Sequence, residues 1–313
     1  MKPEFSSTFT RRLGCLGLLL LLVVLPLQSM HAQALHTGRA GSGITLYEAF
    51  DGSSGASGSL LRMSNDVGFE FRRLVGFDLV LPIYFAVPPV QQPGFSPATP
   101  SLGSLSVGAH MSLPLPLVEY TPALTIAFPT GSVSKGFSTG AVTYDLDNHF
   151  QHGFALLPIA PFLDADIGNS QNNGNGPFHS RVQMPFLTFG KMAEFKAGLE
   201  LQLLDDLTAT GDGYDIVPWG PQTMYSRILR PGSVGTGGAH NRAFELGPIT
   251  DGGPGLTRDD GYEVSVNYNP RHFLHLGFLD LTAGYSHSMR YDLNTVSLGL
   301  GINVSQLLSR RAQ

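Results

Sequence analysis

The feature that most constrains this chain is alternation. Along much of its length apolar side chains take every second position, and small or polar ones fill the positions between. In the last such run Val296, Leu298, Leu300, Ile302 and Val304 interleave with Ser297, Gly299, Gly301, Asn303 and Ser305. Tyr262, Val264, Val266 and Tyr268 alternate with Glu263, Ser265, Asn267 and Asn269. Leu199, Leu201 and Leu203 alternate with Glu200 and Gln202, and Leu163, Ala165 and Ile167 with Asp164 and Asp166. Shorter stretches at Leu124–Phe128 and Phe69–Phe71 follow the same rule. Successive side chains of a strand point to opposite faces, so a period of two means strands with one apolar and one polar face. Helical periodicity is hard to find. Turn-forming clusters separate the runs at 51–58, 88–100, 169–177 and the Gly-rich stretch 231–261. Runs and turns together give about twelve strands, within a range of roughly ten to fourteen. With no sharp shift in composition along the chain, the expectation is one all-β domain, an antiparallel up-and-down meander.

Composition decides which way the apolar face turns. Charged residues make up 14% of the chain, against about a quarter in an ordinary globular protein. The polar partners in the alternation are Ser, Gly, Thr, Asn, Asp and Gln, seldom Lys, whereas a water-facing sheet normally carries Lys and Arg. A barrel in lipid turns its apolar face outward and keeps small and polar residues in the lumen. The expected architecture is therefore a single antiparallel transmembrane β-barrel over residues 35–308. Aromatics at Phe69–Phe71, Tyr84-Phe85, Tyr285 and Tyr291 would form its headgroup girdle. Parity then places Asp164, Asp166, Glu200, Glu263 and Asp280 on the inner face as candidate lumen-lining residues. Acids so placed bias a pore toward cations or join a salt-bridge network that fills the barrel.

The start of the chain has a different character. Lys2, Arg11 and Arg12 precede the apolar run Leu13–Leu27, and Ala32-Gln33-Ala34 fits a small-x-small cleavage site. Residues 1–34 read as a signal peptide cleaved near Ala34. About fifteen apolar residues fall short of the roughly twenty that a membrane-crossing helix needs. The single Cys, Cys15, would leave with this segment, which excludes a disulfide framework and a Cys-based metal site. Residues 1–34 carry Lys2, Glu4, Arg11 and Arg12, so their loss takes the net charge from −5 to −7. An acidic chain of this kind is not an electrostatic nucleic-acid binder.

Catalytic and metal-binding patterns are weak. Asp145, Asp147, His149 and His152 form the densest polar cluster, and carboxylates with imidazoles are metal-ligand types. The 149/152 spacing puts the two imidazoles on opposite faces of a strand, so a hydrated cluster at the barrel rim is expected instead. In Ser286-His287-Ser288 adjacent strand side chains point apart, which rules out a Ser–His pair within the triplet. No phosphate-binding Gly-rich loop opens a helix, and no His-Glu-x-x-His occurs. No enzyme activity, catalytic residue, metal or cofactor is expected. The stretch 231–261 reads as a long external loop able to fold into the lumen as a constriction. Trp219, between Pro218 and Gly220, reads as a girdle or loop anchor.

Several segments together carry a resemblance. They are Ala123-Leu-Thr-Ile-Ala-Phe-Pro-Thr-Gly131, Gly136-Phe-Ser-Thr-Gly140, Thr143-Tyr-Asp145, Asn148-His-Phe150, Pro161-Phe-Leu-Asp164 and Gly168-Asn-Ser170. This set resembles a bacterial outer-membrane β-barrel transporter family related to the phenol-degradation MetA-pathway proteins. A second block, Tyr214-Asp-Ile-Val-Pro218 through Gln222 and Ser226-Arg227, is similar to the same family. The resemblance spans about residues 65–230. It implies an exported barrel of roughly eight to sixteen strands in the outer membrane. Its implied partners are outer-membrane lipids, the outer-membrane assembly machinery and a small solute; a preference for apolar or aromatic solutes rests on the family name alone. The chain departs from such barrels at its end. They usually finish on an aromatic residue read by the assembly machinery, whereas residues 309–313 form a tail, Ser309-Arg-Arg-Ala-Gln313. The functional expectation is a porin-like channel or transporter. Its rivals are a structural or adhesion barrel with a plugged lumen and a secreted soluble β-sandwich that binds polysaccharide.

Overall fold

The structure is a computed structural model that describes residues 43–55, 58–71, 74–87, 100–154, 157–170, 182–230, 243–271 and 276–311. In chain order the strands are β1 (Gly43–Gly55), β2 (Gly58–Phe71), β3 (Val75–Val87), β4 (Ser101–Leu102), β5 (Leu105–Met111) and β6 (Leu113–Pro114). Next come β7 (Glu119–Phe128), β8 (Thr143–Gln151), β9 (Ile159–Gly168), β10 (Phe186–Phe189), β11 (Met192–Leu204) and β12 (Leu207–Pro218). The last are β13 (Gln222–Arg230), β14 (Ala243–Gly252), β15 (Asp259–Tyr268), β16 (Leu279–Ser288) and β17 (Leu293–Asn303), followed by one helix, α1 (Val304–Arg311).

Twelve of these strands close a barrel. Each pairs antiparallel with the next long strand, in the order β1, β2, β3, β5, β7, β8, β9, β11, β12, β15, β16, β17. The last returns to the first, with Thr45 opposite Asn303 and Ser53 opposite Thr295. Closure leaves no free sheet edge, so every strand finds backbone partners on both sides without help from water. This is the expected antiparallel meander at the expected strand number. A second, three-stranded sheet, β10-β13-β14, is built from the connections β9–β11 and β12–β15.

The alternation resolves into two faces. On β17 Val296 and Leu298 are each 55% exposed, while Thr295 and Ser297, which alternate with them, are buried. The same holds for Leu163 and Ile167 against Asp164 and Asp166 on β9, and for Phe77 and Leu79 against Asp78 on β3. Apolar side chains stand outside and polar ones inside, the arrangement of a membrane-spanning barrel. Among the described residues no helix is long and apolar enough to cross a membrane. Inside, small wall residues let larger ones lie flat. A Cβ at Gly299 would come within 2.0 Å of the Tyr47 hydroxyl, so only glycine admits that ring against the wall.

The two ends of the barrel differ. At one end β2–β3 and β11–β12 are joined by tight turns, and both β1 and β17 have their outer termini there. At the other, long connections cover 129–142, 169–191 and 219–258. Short turns are the periplasmic mark of such barrels and long loops the extracellular one.

Three expected boundaries move. The cluster 51–58 is mostly strand, because Asp51, Gly52 and Ser53 stay in register with Ser297, Val296 and Thr295 of β17 on one side and with Arg62, Leu61 and Leu60 of β2 on the other. Neighbours on both sides override turn-prone composition. Within 231–261, residues 243–252 are β14 rather than loop, and 231–242 lie outside the described residues. The final alternating run stops at Asn303. Its side-chain oxygen accepts the Gln306 amide at 3.0 Å, an N-cap that starts α1 at Val304 and takes Ser305 out of the strand. The Ser305 hydroxyl accepts the Ile44 amide at 3.1 Å and so ties α1 to the first strand.

Candidate functional site

The interior wall is electrically lopsided. On the adjacent strands β8, β9, β11, β12 and β15 the inward positions hold Asp145, Asp147, Asp164, Asp166, Glu194, Glu200, Asp212 and Glu263, with His149 and Lys196 among them. His149 Nδ1 meets Asp164 Oδ1 at 2.5 Å. Lys196 Nζ donates to Glu263 Oε2 at 3.1 Å and has Asp212, Glu194 and Asp164 around it. Gln151 Nε2 donates to Glu200 Oε2 at 3.2 Å. The wall made by β16 and β17 carries Ser286, Ser288, Thr295 and Ser297, with a single acid, Asp280, near its short-turn end. Beside it, the buried Arg62 of β2 pairs with Asp51 of β1 at 2.8 Å. Toward the short-turn end His110 bridges Asp78 at 3.1 Å and Glu70 at 3.3 Å. Its ring lies over Gly76, where a Cβ would come within 2.2 Å of it.

The five acids singled out by parity are therefore not one cluster. Asp164 and Asp166 sit side by side on β9, and Glu263 reaches the same region through Lys196. Glu200 lies lower on β11 with Gln151. Asp280, near the short-turn end, accepts from Asn269 Nδ2 at 2.7 Å. The expected rim cluster is corrected: Asp145, Asp147 and His149 are buried on the inner face of β8, with Tyr144 and Leu146 facing out. Their odd-numbered parity beside Tyr144 and Leu146 was the signal that locates them. His152 lies past the strand and bonds the Leu117 carbonyl. Ser286 and Ser288 face inward while His287 contacts Asn294 at 2.9 Å, and the Ser288 hydroxyl donates to Asp259 at 2.6 Å. His272 and His275 lie outside the described residues. Among the described residues no group of three or more His, Cys, Asp or Glu has the arrangement to hold a metal ion.

The long-loop end of the barrel is crossed by three segments. Val182, Met184 and Phe186 pack into one apolar cluster with Met192 of β11, Tyr214 and Ile216 of β12 and Leu293 of β17. The Gln183 amide donates to the Thr295 hydroxyl on β17 at 3.0 Å. From the opposite wall Tyr84 of β3 stacks on Phe137 of the β7–β8 connection, with ring centroids 4.4 Å apart. Arg227 of β13 joins the two halves. Its guanidinium lies 5.3 Å from the Phe137 ring and 5.8 Å from the Tyr84 ring, and donates to the Met184 and Gly136 carbonyls. Five barrel strands separate β3 from β12 in either direction, so this chain of contacts crosses the full diameter. Burial away from water pushes the Arg227 guanidinium down to about 10, with Arg62 adding to the effect and Tyr84 opposing it, so it stays charged at neutral pH.

Two girdle assignments are thereby corrected. Tyr84 is a buried inner-wall residue, and Tyr291 packs edge-on to Phe186 at 5.1 Å in the mouth. Tyr285, Phe69 and Phe71 do stand on the outer face. Trp219, 42% exposed just past β12, bonds the Lys191 carbonyl through its amide. The inward constriction is built by 132–140, 182–187 and β13, to which Thr257 of the stretch 231–261 is bonded through Gln222. Residues in the two blocks that carry the family resemblance, Gly136, Phe137, Tyr214, Gln222 and Arg227, meet at this mouth. Gln222, buried at the start of β13, donates to the Lys191 and Trp219 carbonyls and accepts from Thr257.

A closed twelve-strand barrel with an apolar outside and a charged inside belongs to the class of outer-membrane-type transmembrane β-barrels. No protein-family model and no curated protein matches the chain. Among solved structures it is similar to the COG4313 outer membrane channel from Pseudomonas putida F1, with a TM-score of 0.50, 9% identity, and coverage of 87% of this chain and 99% of that one. The NanC porin superposes with a TM-score of 0.48 at 7% identity, covering 82% of this chain and 98% of that chain. At such identities the likeness is one of fold.

Proposed function

We propose that this protein is an outer-membrane channel for small solutes, related to the transporters of the phenol-degradation MetA-pathway kind. Residues 1–34 serve as its signal peptide, cleaved near Ala34. The observation that carries the reading is the polarity of the wall: charged and hydroxyl side chains face the axis of a closed barrel while aliphatic ones face out. Asp164, Asp166, Glu200, Glu263 and Asp280 line the passage in this proposal, together with Asp145, Asp147 and Lys196. The preference for apolar or aromatic solutes rests on the family resemblance. Outer-membrane lipids surround the barrel, and the outer-membrane assembly machinery inserts it. No catalytic, metal or cofactor role is assigned.

A second reading, a plugged structural barrel, is favoured by one observation, the continuous contact from β3 to β12 across the mouth. Proteoliposome swelling separates the two. The test compares the wild type with a variant in which 133–139 is replaced by a two-residue Gly-Ser link. The channel reading predicts that sugars and amino acids enter liposomes through the wild type, slowly, and faster through the shortened barrel. Entry through a folded, heat-modifiable shortened barrel with none through the wild type supports the plugged reading instead.

A further inference from the structure

Arg227 has an unusual position. Its side chain reaches the β7–β8 connection at the Gly136 carbonyl and the Phe137 ring, the segment 182–187 at the Met184 carbonyl, and the wall at Tyr84. Its own amide donates to the Pro185 carbonyl at 3.0 Å, which fixes β13 to the same segment. Gly136 is shaped for it. That glycine has φ +73°, and a Cβ there would come within 2.6 Å of Arg227 Cγ.

The chemistry of these contacts sets them apart from ordinary packing. A guanidinium offers five N–H donors in a planar fork, and here it is 9% exposed, with two carbonyls and two ring faces for company. Among the described residues it has no carboxylate partner. Burying a charge without a counter-ion is unfavourable, and an apolar side chain would close the same gap without that penalty. Arg227 gives directional contacts to two separate connections and one wall residue, while its own hydration pulls it back toward water. Contacts that are specific and only weakly favourable suit a closure that must come undone.

We infer that Arg227 is the clasp of a gate: it holds the connection 132–140 and the segment 182–187 across the mouth, and its release opens the lumen to solute. The inference rests on the channel reading above and deepens it. On release the Tyr84–Phe137 stack parts, Tyr84 stays on the β3 wall, and Arg227 swings into extracellular water. The Met184 side of the plug stays attached to β11 and β12 through its apolar cluster, so opening begins at the β3 wall.

The test measures sugar permeation and single-channel conductance in proteoliposomes. The proteins are the wild type, Arg227→Ala, Arg227→Lys, Gly136→Ala and the variant shortened at 133–139. Wild type should be slow. Arg227→Ala should be faster by at least about five-fold, approaching the shortened barrel. Arg227→Lys should fall between, since an ammonium keeps the charge and lacks the fork that spans two carbonyls. If Arg227→Ala does not reach a heat-modifiable folded form, Gly136→Ala displaces the side chain without removing it and Arg227→Lys weakens it; both should still raise permeation. A fast shortened barrel with all three point variants as slow as wild type overturns the clasp and leaves the channel reading standing. Wild-type permeation equal to that of the shortened barrel overturns the clasp as well. A folded shortened barrel as slow as wild type overturns the channel reading itself.

Discussion

Glu48 is the residue most out of place. It lies on the outer face of β1 between Leu46 and Phe50, opposite Leu300 of β17 and Asn65 of β2. The outward acids Asp215 and Asp260 sit at the extracellular strand ends, but Glu48 interrupts the apolar run itself. A charged side chain on the lipid face of a barrel costs up to a few kcal/mol near the bilayer midplane, acids less than bases. Glu48→Leu should therefore stabilise the protein by about 1 kcal/mol, read as a higher urea midpoint in lipid vesicles. An unchanged or lower midpoint would show that the carboxyl has a favourable role there. Lys196 presents the inverse case, a buried cation among Glu263, Asp212, Glu194 and Asp164. Replacing it by Met leaves buried carboxylates without their cation and should cost about 3 kcal/mol of unfolding free energy. Glu263→Gln in the same chain should return part of that loss, a coupling that a double-mutant cycle in urea measures. Residue faces were legible in the sequence wherever a run alternated, as at Leu163–Ile167. Tyr84 was not, because an inner-wall aromatic beside Phe85 looks the same as a girdle pair until Phe137 is seen stacked on it.

At the scale of elements, alternation located strands better than their ends. The Gly- and Ser-rich stretch 51–58 has turn composition, yet β1 and β2 run through most of it because two formed neighbours supply every backbone partner. The Gly-rich stretch after β13 hides β14, a strand whose partner lies outside the barrel and whose sequence has no lipid-facing alternation. The run that ends the barrel continues as a pattern through Val304, but the Asn303 cap stops it one residue earlier. That cap is testable. Asn303→Ala should cost about 1 kcal/mol of helix stability and raise amide exchange across 304–311 with the barrel amides unchanged. Equal exchange in both proteins would mean that α1 is held by its contact to β1 rather than by its cap.

For the molecule as a whole, period-two patterning with little Lys and Arg was enough to read a transmembrane barrel of about twelve strands. The closed mouth was not readable in the same way. Its parts come from three connections far apart in sequence, and each has bland turn chemistry alone: Gly136-Phe-Ser-Thr-Gly140, the approach to Phe186, and Gln222–Arg227. The charge asymmetry of the wall also emerges only when β8, β9, β11, β12 and β15 are seen to be neighbours. It predicts cation preference in an opened barrel. With 133–139 shortened, the reversal potential in a KCl gradient should report potassium over chloride, and Asp164→Asn with Asp166→Asn should reduce the preference. Chloride preference in the shortened barrel would contradict the assignment of that wall to the conducting path.

The claim on which all of this depends is the orientation of the two faces. Tryptophan quenching by brominated lipid reads it directly, in a Trp219→Phe background that leaves no other tryptophan. A tryptophan at Leu298, on the outer face, should be strongly quenched in brominated vesicles, and one replacing Tyr47, on the inner face, should not. Quenching at Tyr47 with none at Leu298 would mean that the apolar face is turned inward, and the barrel would be one that folds in water.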